Sequence, residues 1–278
     1  MNGKSQNPSK LQFPEDAEKT IDSLLSGIKY YASIAVLGDS VENIPDKNFP
    51  RPKFTVGIRL GGTKEDKLVK RDAPILLARF SLISIITLFE THTHSLLIQR
   101  KLLEEYFNSD HTDIKPDKFW QIQTKVIKLM RSKKSLDEII TEELIYKPSK
   151  NIRDNMEWLK GIIRVRNCLS HRLGIVGLED IRPKGVSRVE VISDQSLKVK
   201  WIRLQAMING EEIKTFPHEG GGKVSFDKEE YTREWKIGEE IKITPAECQH
   251  LAMTLSELAL QIFSEYKKEI LELKEKSK

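Results

Sequence analysis

Of its 278 residues the chain spends only two on cysteine, Cys168 and Cys248. They fall on separate expected helices without metal-ligand spacing, which argues against a disulfide framework or zinc module and for free thiols in a reducing compartment. The opening MNGKSQNPSK has no apolar h-region, so no secretory signal is expected. No GxGxxG occurs. The stretch His218–Lys223, HEGGGK, is followed by Val224 where a phosphate loop needs Ser or Thr, and no helical pattern comes after it. Long apolar runs are equally scarce. Ala73–Phe89, APILLARFSLISIITLF, falls just short of the roughly 18 residues of a membrane span, and Arg79 interrupts it. We read it as the central helix of a soluble bundle and expect a cytoplasmic protein without membrane contact. Internal repeats are absent, and the Lys/Glu-rich tail reads as a solvated helix end.

What is present is ordinary for a globular protein: 31% charged and 38% hydrophobic residues. The length allows one large domain or a domain with an insertion. A net charge of +5 permits RNA, DNA or another anionic partner without requiring one.

Residues 1–14 read as a lead. Ile21, Leu24, Leu25, Ile28, Ala32 and Ala35 keep helical spacing over Glu15–Leu37. Prolines and glycines make 38–72 irregular, with a short strand possible at Phe54–Leu60 (FTVGIRL). The longest helix is expected from Asp72 to about Tyr106, a third along Phe119, Ile122, Val126 and Leu129, and a fourth from the capping box Ser135-Leu136-Asp137-Glu138 to before Pro148. After Gly174 the texture changes. Val186–Ile192, Leu197–Ile208 and Glu212–Phe216 read as strands, with Asn209-Gly210 as a hairpin turn, and Gly220-Gly221-Gly222 and Tyr231–Ile243 continue the turn-and-strand character. Trp201 and Trp235 are assigned to packing rather than to base stacking. Thr244-Pro245-Ala246-Glu247 then opens a last helix whose stripe runs Leu251, Leu255, Leu258, Ile262, Tyr266, Ile270, Leu273. The expected fold is mainly α: a helical bundle over 15–177, a small antiparallel β-rich insertion at 178–245, and a C-terminal helix at 246–278 completing the bundle.

The chemistry lies on one amphipathic helix, Ile152–Gly174. Ile152, Met156, Leu159 and Ile163 form one apolar row, and Trp158, Ile162, Val165 and Leu169 the next; Asn151 is the expected N-cap and Gly174 the stop. Its last turns carry Arg166-Asn167-Cys168-Leu169-Ser170-His171. Cleaving RNA without a metal requires taking a proton from the ribose 2′-OH, giving one to the leaving 5′-oxygen, and stabilising charge on phosphorus. A histidine can move the protons near neutral pH. An arginine offers a planar fork to phosphate oxygens and stays charged. On an ideal helix five residues turn through about 500°, leaving Arg166 and His171 roughly 140° apart and Asn167 about 40° from His171. Either Arg166 reaches round, or a second subunit completes the site across a two-fold axis. Cys168 lacks a base and an orienting partner and is assigned to the core.

The stretch IIRVRNCLSHRLG resembles the HEPN superfamily (higher eukaryotes and prokaryotes nucleotide-binding domains), whose hallmark is an Arg, four to six residues, then a His, commonly with a polar residue directly after the Arg. Arg166, Asn167 and His171 match that pattern; Arg164 also fits the spacing but is followed by Val165. The helices over about 15–174 and the last helix are similar to the family's all-α bundle, whereas the insertion falls outside it. The resemblance implies a metal-independent, cofactor-free endoribonuclease that works as a homodimer with a composite site. It implies a bacterial toxin–antitoxin or antiviral defence setting and a protein partner such as an antitoxin. The catalytic set would be Arg166, Asn167 and His171, with Ser170 as a candidate supporting group. By spacing alone, Glu90 and His94 lie one turn apart on the long helix and are either a supporting acid–base pair or simply a buried or solvent-facing polar pair. Some family members are silent binding modules, so a HEPN-like module binding RNA, a nucleotide or a protein stays open, as does an unrelated helical scaffold.

Overall fold

The 3.6-residue periodicities emerge as helices in a computed structural model, which describes residues 15–42, 63–108, 116–131, 135–181, 196–208, 211–212 and 224–276. The helices are α1 (Glu15–Glu42), α2 (Thr63–Asn108), α3 (Pro116–Arg131), α4 (Leu136–Glu138), α5 (Lys150–His171), α6 (Leu178–Ile181) and α7 (Pro245–Lys276). A π-helical segment, Ile139–Leu144, continues α4. Strands β1 (Ser196–Ile208), β2 (Glu211–Glu212) and β3 (Val224–Lys236) form an antiparallel sheet in the order β2-β1-β3. Register pairs Leu197 with Trp235 and Trp201 with Tyr231. The chain is therefore mainly helical, with a small antiparallel sheet before its last helix. The strands expected at 54–60 and 186–192, the Asn209-Gly210 turn and the 218–223 stretch lie outside the described residues.

Several boundaries differ from expectation: β3 runs Val224–Lys236, earlier than the turn-and-strand stretch expected over Tyr231–Ile243, and Leu178–Ile181, placed in the β-rich insertion, is the short helix α6. The irregular stretch placed at 38–72 is shorter at both ends, since α1 runs on to Glu42 and α2 begins at Thr63. Residues 63–71 (TKEDKLVKR) are mostly good helix formers, and Pro74 lies inside α2 rather than near its start.

The chain folds as two compact units, one of 1–27, 87–160 and 256–278 and the other of 28–86 and 161–255. The division falls within α1, α2, α5 and α7. The β insertion is thus not separate from the helices; it shares a unit with the second half of α5.

In the first unit the α7 stripe is buried at Leu258, Ile262, Tyr266 and Ile270, as are Leu96 and Leu97 of α2 and Ile152, Met156, Trp158 and Leu159 of α5. Within it sits a cation: Arg100 is only 1% exposed. Its Nε donates to Glu104 at 2.9 Å, its Nη1 to Glu269 at 2.7 Å and to the Leu144 carbonyl, and its Cζ lies 4.0 Å from the Tyr146 ring centre. Glu269 also accepts the Tyr146 and Lys147 N–H groups at 3.2 and 3.0 Å, and Glu265 accepts that of Ser149 at 3.0 Å. Two α7 carboxylates thus satisfy the backbone of the irregular 145–149 connection. Burial alone would raise the Glu104 carboxyl, but hydrogen bonds from Tyr146 and Arg100 outweigh it and hold the group low.

In the second unit α5 lies close to the sheet at Gly161, where an added Cβ would be 2.7 Å from Val199 Cγ1. Glycine is needed for that approach. Trp201 and Trp235 are buried, with ring centres 6.3 Å apart in an edge-to-face pair, so both are packing residues as expected. Arg233 lies 4.7 Å from the Trp235 ring centre and pairs with Glu247. Glu247 also closes the capping box, accepting the Thr244 N–H at 2.9 Å while its own N–H donates to Thr244 Oγ1 at 3.2 Å.

By length and composition α2 could cross a membrane over Lys70–Asn108, and 33% of its most apolar window is buried inside the protein. Ala78, Leu82, Ile85 and Ile86 are buried; Leu76 and Phe80 are exposed.

Replacing Glu269 with alanine removes one of the two carboxylates that meet the buried Arg100 and leaves two backbone donors without their acceptor. The expected loss is about 3 kcal/mol of unfolding free energy, read from the urea midpoint. A loss below about 1 kcal/mol would mean that Arg100 is held by its other partners.

Candidate functional site

The site is built at the C-terminal end of α5. The helix opens on Ser149 rather than on Asn151, as Ser149 Oγ accepts the Ile152 N–H at 3.4 Å and its carbonyl the Arg153 N–H at 3.1 Å. Of the two apolar rows, all but the half-buried Ile163 are buried. This fixes which side of the last turns meets solvent. Cys168 and Leu169 face the core, Arg166 and Asn167 are half-buried, and Ser170 and His171 are exposed. Arg166 Nε lies below the surface. Arg164, the other arginine with suitable spacing, is exposed. The spacing therefore puts the motif across the margin between core and water, with its arginine on the buried side and its histidine on the open side.

His171 is the last helical residue, and the chain just beyond it is tightly held. The Arg172 and Gly174 N–H groups both donate to the Cys168 carbonyl, at 3.0 and 3.1 Å. Gly174 has φ +84°, the left-handed conformation expected of a helix stop. The turn begins a residue earlier, however, on Leu173 at φ +55°. That side chain is 83% exposed, and a left-handed leucine costs about 1–2 kcal/mol. An added Cβ at Gly174 would lie 3.2 Å from Leu169 Cδ2 and 3.4 Å from Arg79 Cζ.

Three further sets of bonds hold this end. Arg172 grips Asp180 with two nitrogens, Nε to Oδ2 at 2.9 Å and Nη2 to Oδ1, while Nη1 reaches Glu179 at 3.1 Å. Asp180 is buried and also accepts the Gly177 N–H at 2.8 Å. Residues 174–176 pair with the turn after β3: Val176 N–H to the Glu239 carbonyl at 2.9 Å and Ile241 N–H to the Gly174 carbonyl at 2.8 Å. Arg79 donates to the Ile241 carbonyl at 2.6 Å through Nη2, which also meets Glu240 at 2.8 Å. Arg79, the residue that interrupts the long apolar run, is thus an anchor for the turn beside the site. Neither it nor the Arg172–Asp180 pair belongs to the sequence motif, and only the proximity of Arg172 to His171 hinted at a role.

Cys168 is no nucleophile here. Burial, reinforced by Asp180, pushes its thiol up to about 11, and its Sγ donates to the Ile175 carbonyl at 3.2 Å. Cys248, buried more deeply, is pushed up to about 12. Both cysteines are free.

The motif residues Arg166, Asn167, Ser170 and His171 all belong to the second unit, whereas Glu90 and His94 belong to the first. Glu90 and His94 lie one turn apart on α2 and are half-buried, and burial holds the His94 imidazole below its ordinary value. On the segment just after the helix the apolar side chains Leu173, Ile175 and Leu178 are exposed.

The chain matches no protein-family model, no curated protein and no solved structure.

Asp180→Asn keeps the shape of the clamp but removes its charge. Amide exchange at residues 172–177 should rise by about tenfold, corresponding to about 1.4 kcal/mol of lost local stability. Unchanged exchange there would show that the backbone pairing holds the helix end without the ion pair.

Proposed function

We propose that this chain is a metal-independent endoribonuclease of HEPN type, acting as a cytoplasmic homodimer in a bacterial toxin–antitoxin or antiviral defence setting. One observation carries the proposal. An exposed histidine ends a helix whose closing turn is fastened on three sides, with a half-buried arginine and asparagine one turn before it. Such an arrangement gives a proton-transfer group access to solvent and substrate while its backbone stays fixed.

In this scheme Arg166 holds the scissile phosphate through its guanidinium fork. His171 exchanges protons with the 2′-oxygen and the leaving 5′-oxygen. Attack of the 2′-oxygen on phosphorus breaks the P–O5′ bond and leaves a 2′,3′-cyclic phosphate and a 5′-hydroxyl. Asn167, close to His171 in azimuth, orients the imidazole or donates to a phosphate oxygen. No metal or cofactor takes part. The angular separation of Arg166 and His171 favours a composite site, one copy supplying the arginine face and its twin the histidine. The exposed Leu173, Ile175 and Leu178 just after the helix would give that association apolar surface to bury. A protein partner such as an antitoxin would act by covering the same surface. The half-burial of Arg166 favours one alternative, a catalytically silent HEPN-like module that binds RNA, a nucleotide or a protein without cutting.

Incubating RNA with the protein in EDTA separates the two. Cleavage to cyclic-phosphate ends is expected, reduced by about 100-fold or more in both His171→Ala and Arg166→Ala. Absence of cleavage by a folded dimer would favour the binding module, and full activity in His171→Ala would exclude this site.

A further inference from the structure

The first unit contains a surface for which the cleavage scheme has no use. Helix α3 (PDKFWQIQTKVIKLMR) turns Ile122 and Val126 into the core and leaves Trp120 62% exposed. Phe119, itself exposed, meets Trp120 edge to face with ring centres 5.7 Å apart, which braces the indole rather than covering it. Thr124 and Lys128 follow Trp120 at four-residue intervals on the same outward line, and Ile127 and Lys125 flank it; all four are exposed. The cations differ in what they have left to give. Lys118 is engaged by Glu105 at 3.0 Å. Lys125 and Lys128 have no carboxylate partner among the described residues.

A large exposed tryptophan is a costly thing to leave in water. Placed beside two ammonium groups that no carboxylate among the described residues pairs with, it has the two parts of a single-strand binding face, a stacking platform and a charge track. We propose that the outer face of α3 is a docking surface for single-stranded RNA, with Trp120 stacking on a base and Lys125 and Lys128 meeting phosphates. Trp120 and Lys128 are eight residues apart, about 12 Å along the helix, so the face takes a short stretch of strand. Charge complementarity selects the polyanion. An anionic bilayer is disfavoured because the apolar side an interfacial helix would insert is already buried in the protein, at Ile122 and Val126. The choice of RNA over DNA rests on the ribonuclease proposal; the face itself does not.

The chain's other three tryptophans, Trp158, Trp201 and Trp235, are 2%, 1% and 5% exposed. Quenching of tryptophan emission by a bound base therefore reports on Trp120. The experiment titrates a short oligouridylate into the His171→Ala protein, which the cleavage scheme leaves unable to cut it. Quenching is expected, and affinity read for all variants by the anisotropy of a 5′-fluorescein-labelled oligouridylate should be about tenfold weaker in Trp120→Ala. Lys125→Gln and Lys128→Gln should each lower the slope of log affinity against log salt by about 0.7. Trp120 is exposed, so these variants should fold, which circular dichroism checks. Unchanged affinity in Trp120→Ala overturns the proposal, as does quenching by phosphatidylserine vesicles but not by oligouridylate. Quenching of Trp120 together with no cleavage by the unsubstituted protein would sink the ribonuclease proposal alone. Cleavage with no effect of Trp120 on binding would sink this one alone.

Discussion

A carboxylate as enclosed as Asp180 must be met by donors, and it takes three: two from Arg172 and the Gly177 N–H. That requirement ties α6 and the turn before it to the residue directly after His171. The candidate site depends on this one interaction more than on any other. With the Arg172 side chain fixed, the last turn of α5 cannot fray in the way helix ends commonly do. The left-handed Leu173 is held in a conformation it would not choose, and its side chain is left in water. Strain of this kind persists only where surroundings impose it, and it gathers at functional sites.

The first unit solves a similar problem with the signs reversed. There the enclosed group is a cation, Arg100, answered by Glu104, Glu269 and the Leu144 carbonyl. Of these, Glu269 also accepts the Tyr146 and Lys147 N–H groups, so the connection into α5 is set in part by the residue that makes the arginine tolerable. Such a pair adds little net stability over an apolar replacement. What it supplies is a defined path for a chain segment that has no regular structure of its own.

Much of this was legible in the sequence where the determinants are local. The stripe along α7 and both rows on α5 are buried nearly as the 3.6-residue period requires, and Thr244-Pro245-Ala246-Glu247 forms its capping box bond for bond. What could not be read depends on residues far apart in the chain. Ser149 displaces Asn151 as the cap of α5 where Glu265, 116 positions on, takes the Ser149 N–H. Arg79 looked like a flaw in an apolar run because its acceptor, the Ile241 carbonyl, is 162 positions away. At the site, periodicity placed the motif on the last turns and Gly174 marked the stop. It could not say that the core margin would pass between Arg166 and His171, because that line is drawn by whatever packs against the helix. The exposure of Trp120 was hidden for the same reason, since Phe119 reads from sequence as part of the α3 core row.

The chemistry assigned to His171 and Arg166 needs a neighbouring 2′-hydroxyl as the nucleophile, and this makes the central claim testable on the substrate rather than on the protein. The first cut in a defined RNA would be mapped with EDTA present, and that RNA then made again with one 2′-deoxy nucleotide on the 5′ side of the scissile phosphate. Attack by the 2′-oxygen requires that cleavage at this bond disappear while cuts elsewhere continue. Cleavage persisting at the deoxy position would mean that water attacks phosphorus, which contradicts the assigned roles of both residues.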